Sequence, residues 1–116
     1  MNYNKPILIA EVGCNHKGDL ESAKKFIEVA SNFCNLKYIK FQKRNPQSLL
    51  TKEEYNSPHP VPGNSYGNTY GEHREYLEFN LEQHKELMNE CSKKNMVYSS
   101  SVWDLISAKE ISSLNP

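Results

Sequence analysis

Four side chains of this 116-residue chain are of the types that bind and transform an anionic substrate: Glu11, Lys40, Gln42 and Ser101. A lysine ammonium and a serine hydroxyl donate to phosphate or carboxylate oxygens, a glutamine fixes orientation, and a glutamate moves a proton. Each sits at or near the end of a short strand-like run. Ile7-Leu8-Ile9-Ala10 leads into Glu11, Tyr38-Ile39-Lys40-Phe41-Gln42 alternates apolar and polar, and residues 96–102 carry Ser99-Ser100-Ser101. Alternate side chains of a strand face opposite ways, so Ile39 and Phe41 share one face while Tyr38, Lys40 and Gln42 share the other. By the same parity Glu11 falls with Ile7 and Ile9, and Ser101 with Val97 and Ser99. In one parallel sheet all four polar groups point into a single mouth. An unpaired ammonium buried there would be costly, and an anion meeting Lys40 removes that cost. Taken singly, each has an ordinary alternative, with Lys40 a strand-end lysine in solvent and Glu11 the partner of a nearby base.

The elements that must hold these residues are legible from periodicity. Leu20, Ala23, Phe26, Ile27, Ala30, Phe33 and Cys34 recur at steps of three and four behind Asp19, a good N-cap, which predicts a helix over 19–34. A second helix is predicted over 81–94, with Asn80 as cap and Gln83 three residues on. Asp104 opens a last helix through Leu105, Ala108, Ile111 and Leu114. Strands alternating with helices imply a parallel α/β sheet with right-handed crossovers, its chemistry at the strands' C-terminal ends.

Lys43 to Asn80 breaks that rhythm. Connections of more than about 15 residues without secondary structure are usually functional or disordered. Pro46, Pro58, Pro60 and Pro62 exclude a regular element through its middle, whereas Tyr55, Tyr66, Tyr70 and Tyr76 are too many aromatics for a linker. The expectation is an ordered excursion that covers the mouth, with Tyr66 and Tyr70 as candidate substrate contacts. Asn15 and His16, just past the first strand, are two more, His16 against the alternative of a hydrogen bond within the turn. The other histidines form no i, i+4 or H-x-H pair of the kind that binds a metal.

Fourteen basic and fourteen acidic residues balance, with no basic stripe, which removes the field that nucleic acid or an anionic membrane would need. No apolar run approaches the roughly 20 residues of a membrane span, and the start lacks the apolar core of a secretion signal. Cys14, Cys34 and Cys91 are odd in number and lack a C-x-x-C, pointing to small fillers in a reduced, cytoplasmic setting. A closed eight-stranded barrel takes about 250 residues. Three strands therefore read as one unit, 1–116, cut before a fourth strand. The competing readings are a non-catalytic truncated product stable only by association, and a phosphosugar aldolase with Lys40 as Schiff-base lysine.

Ile9-Ala10-Glu11-Val12-Gly13-Cys14-Asn15-His16-Lys17-Gly18-Asp19, then Lys40-Phe41-Gln42, then Tyr98-Ser99-Ser100-Ser101-Val102-Trp103-Asp104 resembles the sialic acid synthase (N-acetylneuraminate synthase) family. That family reads roughly I-A-E-I-G-x-N-H-x-G-D, K-F-Q and S-T-P-F-D at these places. Tyr70-Gly71-Glu72-His73-Arg74-Glu75-Tyr76-Leu77-Glu78-Phe79 is similar to one of its subgroups. The resemblance implies a partial TIM (β/α)8 barrel, its first three βα units, with a long loop after the second strand. It further implies condensation of phosphoenolpyruvate with an N-acetylated hexosamine, such as N-acetylmannosamine or a related deoxy sugar, to a nonulosonic acid and phosphate. Lys40 and Ser101 would then bind phosphoenolpyruvate, Gln42 and Glu11 would face the sugar, and Glu11 would transfer protons. A divalent metal, Mn2+ or Mg2+, and a homodimer are also implied, the metal's histidine ligands lying on later strands absent from this chain. Ser101-Val102-Trp103 departs from the commoner Thr-Pro-Phe, keeping a hydroxyl but changing the wall beside it.

Overall fold

The computed structural model describes residues 4–116; of the expected span 1–116, residues 1–3 lie outside them. Three strands, β1 (Ile9–Glu11), β2 (Tyr38–Lys43) and β3 (Val97–Val102), form a parallel sheet in the order β1-β2-β3. The helices are α1 (Leu20–Asn32), α2 (Pro46–Leu49), α3 (Lys52–Asn56), α4 (Tyr70–Tyr76), α5 (Leu81–Lys93) and α6 (Leu105–Ser113). Helix starts follow the expected caps. Asp19 accepts from the Glu21 and Ser22 backbone N–H groups, Asn80 and Gln83 form a reciprocal capping box, and Asp104 accepts from Ser107 N–H.

One face of the sheet carries the core. Ile39 and Phe41 are fully buried and meet Tyr98, Ala23, Ile27 and Ala30 of α1, and Leu87 and Cys91 of α5. His84 is buried in this layer, its Nδ1 2.7 Å from the Tyr98 hydroxyl and its Nε2 without a hydrogen-bond partner among the described residues. Burial pushes its pKa down to about 4, with the charge of Lys43 acting the same way. Lys43 shares the parity of Ile39 and Phe41; its ammonium is neutralised by Glu110 at 3.1 Å and donates to the Phe79 carbonyl at 3.3 Å. On the opposite face, Ile9, Glu11, Tyr38, Lys40, Gln42, Val97, Ser99 and Ser101 are all partly or largely exposed, left uncovered by the described residues.

Two expectations need correction. β1 begins at Ile9, not Ile7: β2 opens at Tyr38, opposite Ile9, so Ile7 and Leu8 have no ladder partner and stay 70% and 63% exposed. The excursion from 43 to 80 is ordered, as expected, but holds three short helices around an irregular middle with a single 3-10 turn at Pro62–Asn64. Two of these helices start on capping boxes, Thr51 with Glu54 and Thr69 with Glu72. The excursion is pinned at its base, where Tyr70 N–H donates to the Ser57 carbonyl at 2.7 Å. It also packs on the turn after β1: a Cβ on Gly18, whose φ is +75°, would lie 2.3 Å from the Tyr76 carbonyl oxygen.

Candidate active site

The register decides which polar groups meet. Glu11, Lys40 and Ser99 lie in one row across the three strands, and Gln42 and Ser101 in the next row toward the C-terminal ends. Paired residues of a parallel sheet point to the same side, so the four singled-out side chains share the open face. Lys40 Nζ lies 2.8 Å from Glu11 Oε2, and Gln42 Nε2 donates to Glu11 Oε1 at 3.3 Å. Gly13, in a left-handed turn with φ +58°, brings the backbone after β1 close to this pair; a Cβ there would touch Gln42 Nε2 and Glu11 Oε1. Ser99 turns away, donating to the Ile39 carbonyl at 2.9 Å. Ser101 stands in register with Gln42 and is only partly buried.

The network extends past the expected residues. Arg44 Nη2 donates to Gln42 Oε1 at 3.0 Å, its Nη1 lies 3.8 Å from Cys14 Sγ, and its guanidinium sits 4.5 Å above the Trp103 ring. Arg44 has the parity of Lys40 and Gln42, one step beyond the strand end, and that signal was available in the sequence. Its backbone N–H donates to Glu78 Oε2 at 2.9 Å, so the return of the excursion is fastened to the exit of β2. Burial pushes the Glu78 carboxyl up, against that backbone bond and the neighbouring Lys43, Arg44 and Arg74 charges. Tyr70 belongs to this side as well: with Arg44, Arg74 and Trp103 it lines a cleft, and its hydroxyl accepts from Arg74 Nε at 2.9 Å.

The remaining candidates gather elsewhere. Asn15, His16 and Tyr66 line a second cleft beside α1, which none of Glu11, Lys40, Gln42 or Ser101 lines. Asn15 Nδ2 donates to the Val12 carbonyl at 2.8 Å. His16 is buried against Phe79, ring centroids 4.2 Å apart, and its Nδ1 accepts from Gly18 N–H at 3.0 Å, the turn hydrogen bond that was its alternative reading. Burial lowers its pKa, with Asp19 opposing. Tyr66 stacks on Tyr76 at 4.6 Å. Among the described residues no three His, Cys, Asp or Glu side chains are placed to hold a metal ion.

What this arrangement can do is bind an anion. Lys40 with a carboxylate in contact, a guanidinium four residues on and the Ser101 hydroxyl in the next row combines anion capture with a proton carrier at the C-terminal edge of a parallel sheet. Residues 26–116 match the NeuB family. The N-acetylneuraminate-9-phosphate synthase of Drosophila melanogaster is 39% identical over 113 residues, covering 93% of this chain and 28% of that protein. The N,N'-diacetyllegionaminic acid synthase of Campylobacter jejuni is 31% identical over 110 residues, covering 95% and 33%. The crystal structure of the N-acetylneuraminic acid (sialic acid) synthetase from Leptospira borgpetersenii, in complex with citrate, superposes with a TM-score of 0.72 over 96% of this chain and 34% of that one, at 23% identity. The chain thus spans about a third of the length of the relatives it matches. On the match of residues 26–116, the chain belongs to the NeuB family, whose relatives here are sialic acid synthases.

Proposed function

We propose that the full-length protein condenses phosphoenolpyruvate with an N-acetylated hexosamine to form a nonulosonic acid and phosphate, in carbohydrate biosynthesis. The observation that carries this is the Lys40–Glu11–Gln42 cluster, with Ser101 in register, on the uncovered face of the sheet. Lys40 holds the phosphoenolpyruvate anion, and Ser101 adds a hydroxyl donor. The enol carbon attacks the sugar aldehyde, water adds to the resulting cation, and phosphate leaves. Gln42 orients the sugar, and Glu11, released in part from Lys40 when the anion enters, carries a proton. The uncovered face fits the inner surface of a TIM barrel of which β1 to β3 are three strands. A homodimer in the cytoplasm is the assembly and setting that go with this reading.

The Mn2+ or Mg2+ of the proposed reaction finds no ligand set among the described residues, since Glu11 is committed to Lys40 and Gln42. No step is assigned to it, and its ligands are proposed to come from outside this chain. The test is direct. The full-length protein with phosphoenolpyruvate and N-acetylated hexosamines, free and phosphorylated, should release phosphate and yield a product of the summed mass plus water less phosphoric acid. No phosphate release with any acceptor, or borohydride trapping of a substrate on Lys40, would overturn the proposal.

A further inference from the structure

Gln42 is held at both ends of its amide. Its Nε2 donates to Glu11 Oε1 at 3.3 Å, and its Oε1 accepts from Arg44 Nη2 at 3.0 Å, with the Cys14 thiol a second, weaker donor at 3.8 Å. A guanidinium offers no acceptor and an ionised carboxylate no donor, so both amide atoms are satisfied in this orientation alone. Reversed, the amide would set its N–H groups against the guanidinium and its oxygen against the carboxylate.

What holds Arg44 is the sheet itself. Past the end of the β2–β3 ladder, Trp103 N–H donates to the Lys43 carbonyl at 3.3 Å and Asn45 N–H donates to Asp104 Oδ2 at 2.7 Å. Arg44 N–H goes to Glu78 Oε2 at 2.9 Å. The backbone is thus fixed on both sides of Arg44, and the Trp103 ring lies 4.5 Å beneath its guanidinium. A stacked ring sets the plane of the guanidinium without neutralising it, and no carboxylate forms an ion pair with Arg44 among the described residues. The charge is left for Gln42.

This hold matters most when Glu11 changes charge. With Glu11 as the proton carrier, a reading this step rests on, its carboxyl passes through a protonated form that both donates and accepts. In that form it no longer dictates which end of the amide faces it, whereas Arg44 still does. We infer that Arg44, seated on Trp103, is a positioning residue of the condensation: it keeps the Gln42 N–H groups turned toward Glu11 through both states of the carboxyl. Arg44 acts through Gln42 and needs no contact with substrate. A misplacement of about 1 Å at such a group can cost on the order of a hundredfold in rate, so its loss should fall on kcat rather than on KM for the phosphoenolpyruvate that Lys40 binds.

The experiment reads the Gln42 amide directly, by NMR of the full-length protein carrying isotope-labelled glutamine, the signal being assigned by its loss in Gln42→Leu. The wild type should give one sharp pair of amide protons displaced from the position of free glutamine, and Arg44→Met should move that pair toward the free position or broaden it. In kinetics, Arg44→Met should lower kcat about tenfold or more and leave KM for phosphoenolpyruvate within about twofold. In the Gln42→Leu background the same substitution should cost less than about twofold, and Arg44→Lys should restore part of the loss. An amide signal unmoved in Arg44→Met, or an equal loss in both backgrounds, overturns the proposal. A loss confined to KM for phosphoenolpyruvate assigns Arg44 to the anion and also overturns it. If nothing turns over but the amide moves as stated, the hold stands and the synthase reading falls. If Arg44→Met fails to fold, the wild type and Trp103→Leu decide: a wild-type amide at the free-glutamine position, or one that Trp103→Leu leaves unmoved, overturns the proposal.

Discussion

Lys40→Met in the full-length protein separates a functional lysine from a structural one. The Lys40 and Glu11 side chains keep 38% and 43% of their exposure, so their 2.8 Å contact is that of a half-solvated pair. Such a pair is worth about 1 kcal/mol at most, and its loss should move the melting temperature by no more than about 4 °C. Toward substrate the scale differs. A charged hydrogen bond to an anion in a closed site contributes about 1.5 to 3 kcal/mol, and an ammonium facing a phosphoryl group and a carboxylate makes more than one. At 1.36 kcal/mol per decade this predicts a rise in KM for phosphoenolpyruvate and a fall in kcat/KM of at least roughly a hundredfold. Steady-state kinetics beside a thermal melt read both quantities. Near-wild-type kinetics would remove Lys40 from the site; a large melting shift that accounts for the lost activity would make it a structural residue instead.

Two further outcomes follow from the core and from the excursion's docking. His84 is held neutral, its pKa pushed from 6.5 to about 4, so the folded state gives up protons that the unfolded chain takes; stability is complete above pH 6.5 and declines as pH falls toward 4, by about 3 kcal/mol in all. His16 and His73 are shifted in the same direction, so urea unfolding of His84→Gln should lose the larger part of this slope, and an unaltered slope would refute the assignment. Gly18→Ala places a methyl group 2.3 Å from the Tyr76 carbonyl oxygen at φ +75°. The left-handed backbone alone costs about 1–2 kcal/mol, so limited proteolysis between 57 and 70 should accelerate by roughly fivefold to thirtyfold, and unchanged cleavage would show that this contact does not seat the excursion.

What the sequence revealed tracks how local the governing physics is. Asp19, Asn80 with Gln83, and Asp104 each start a helix through hydrogen bonds within three residues, and each was readable. The alternation around Ile39 and Phe41 oriented β2 correctly, because a two-residue period is a property of one strand. The same rule, carried one step further, reaches Arg44. Thr51-x-x-Glu54 and Thr69-x-x-Glu72 carry the capping signature too, but the prolines between them signal irregular chain and mask helices this short. His16, Asn15 and Tyr66 are another matter. His16 is placed by Phe79, more than 60 residues distant, and Tyr66 joins it and Asn15 at one cleft by stacking on Tyr76 of α4; no periodicity carries that information.

The bond between Tyr70 N–H and the Ser57 carbonyl means that the chain leaves for the middle of the excursion and returns at nearly the same point. To the sheet, the segment between is a closed ring whose neck is this hydrogen bond and whose far side leans on α4 through Tyr66 and Tyr76, and the entropy of closing such a ring grows only with the logarithm of its length. Insertions or deletions there should be inherited cheaply, while the pieces outside the ring, Arg44, Tyr70, Arg74 and the Glu78 tether, stay where they are. Descendants of one barrel could thus vary this segment without rebuilding the floor proposed to perform the condensation, and a library randomised in length between 58 and 69 is where a change of sugar would be sought first.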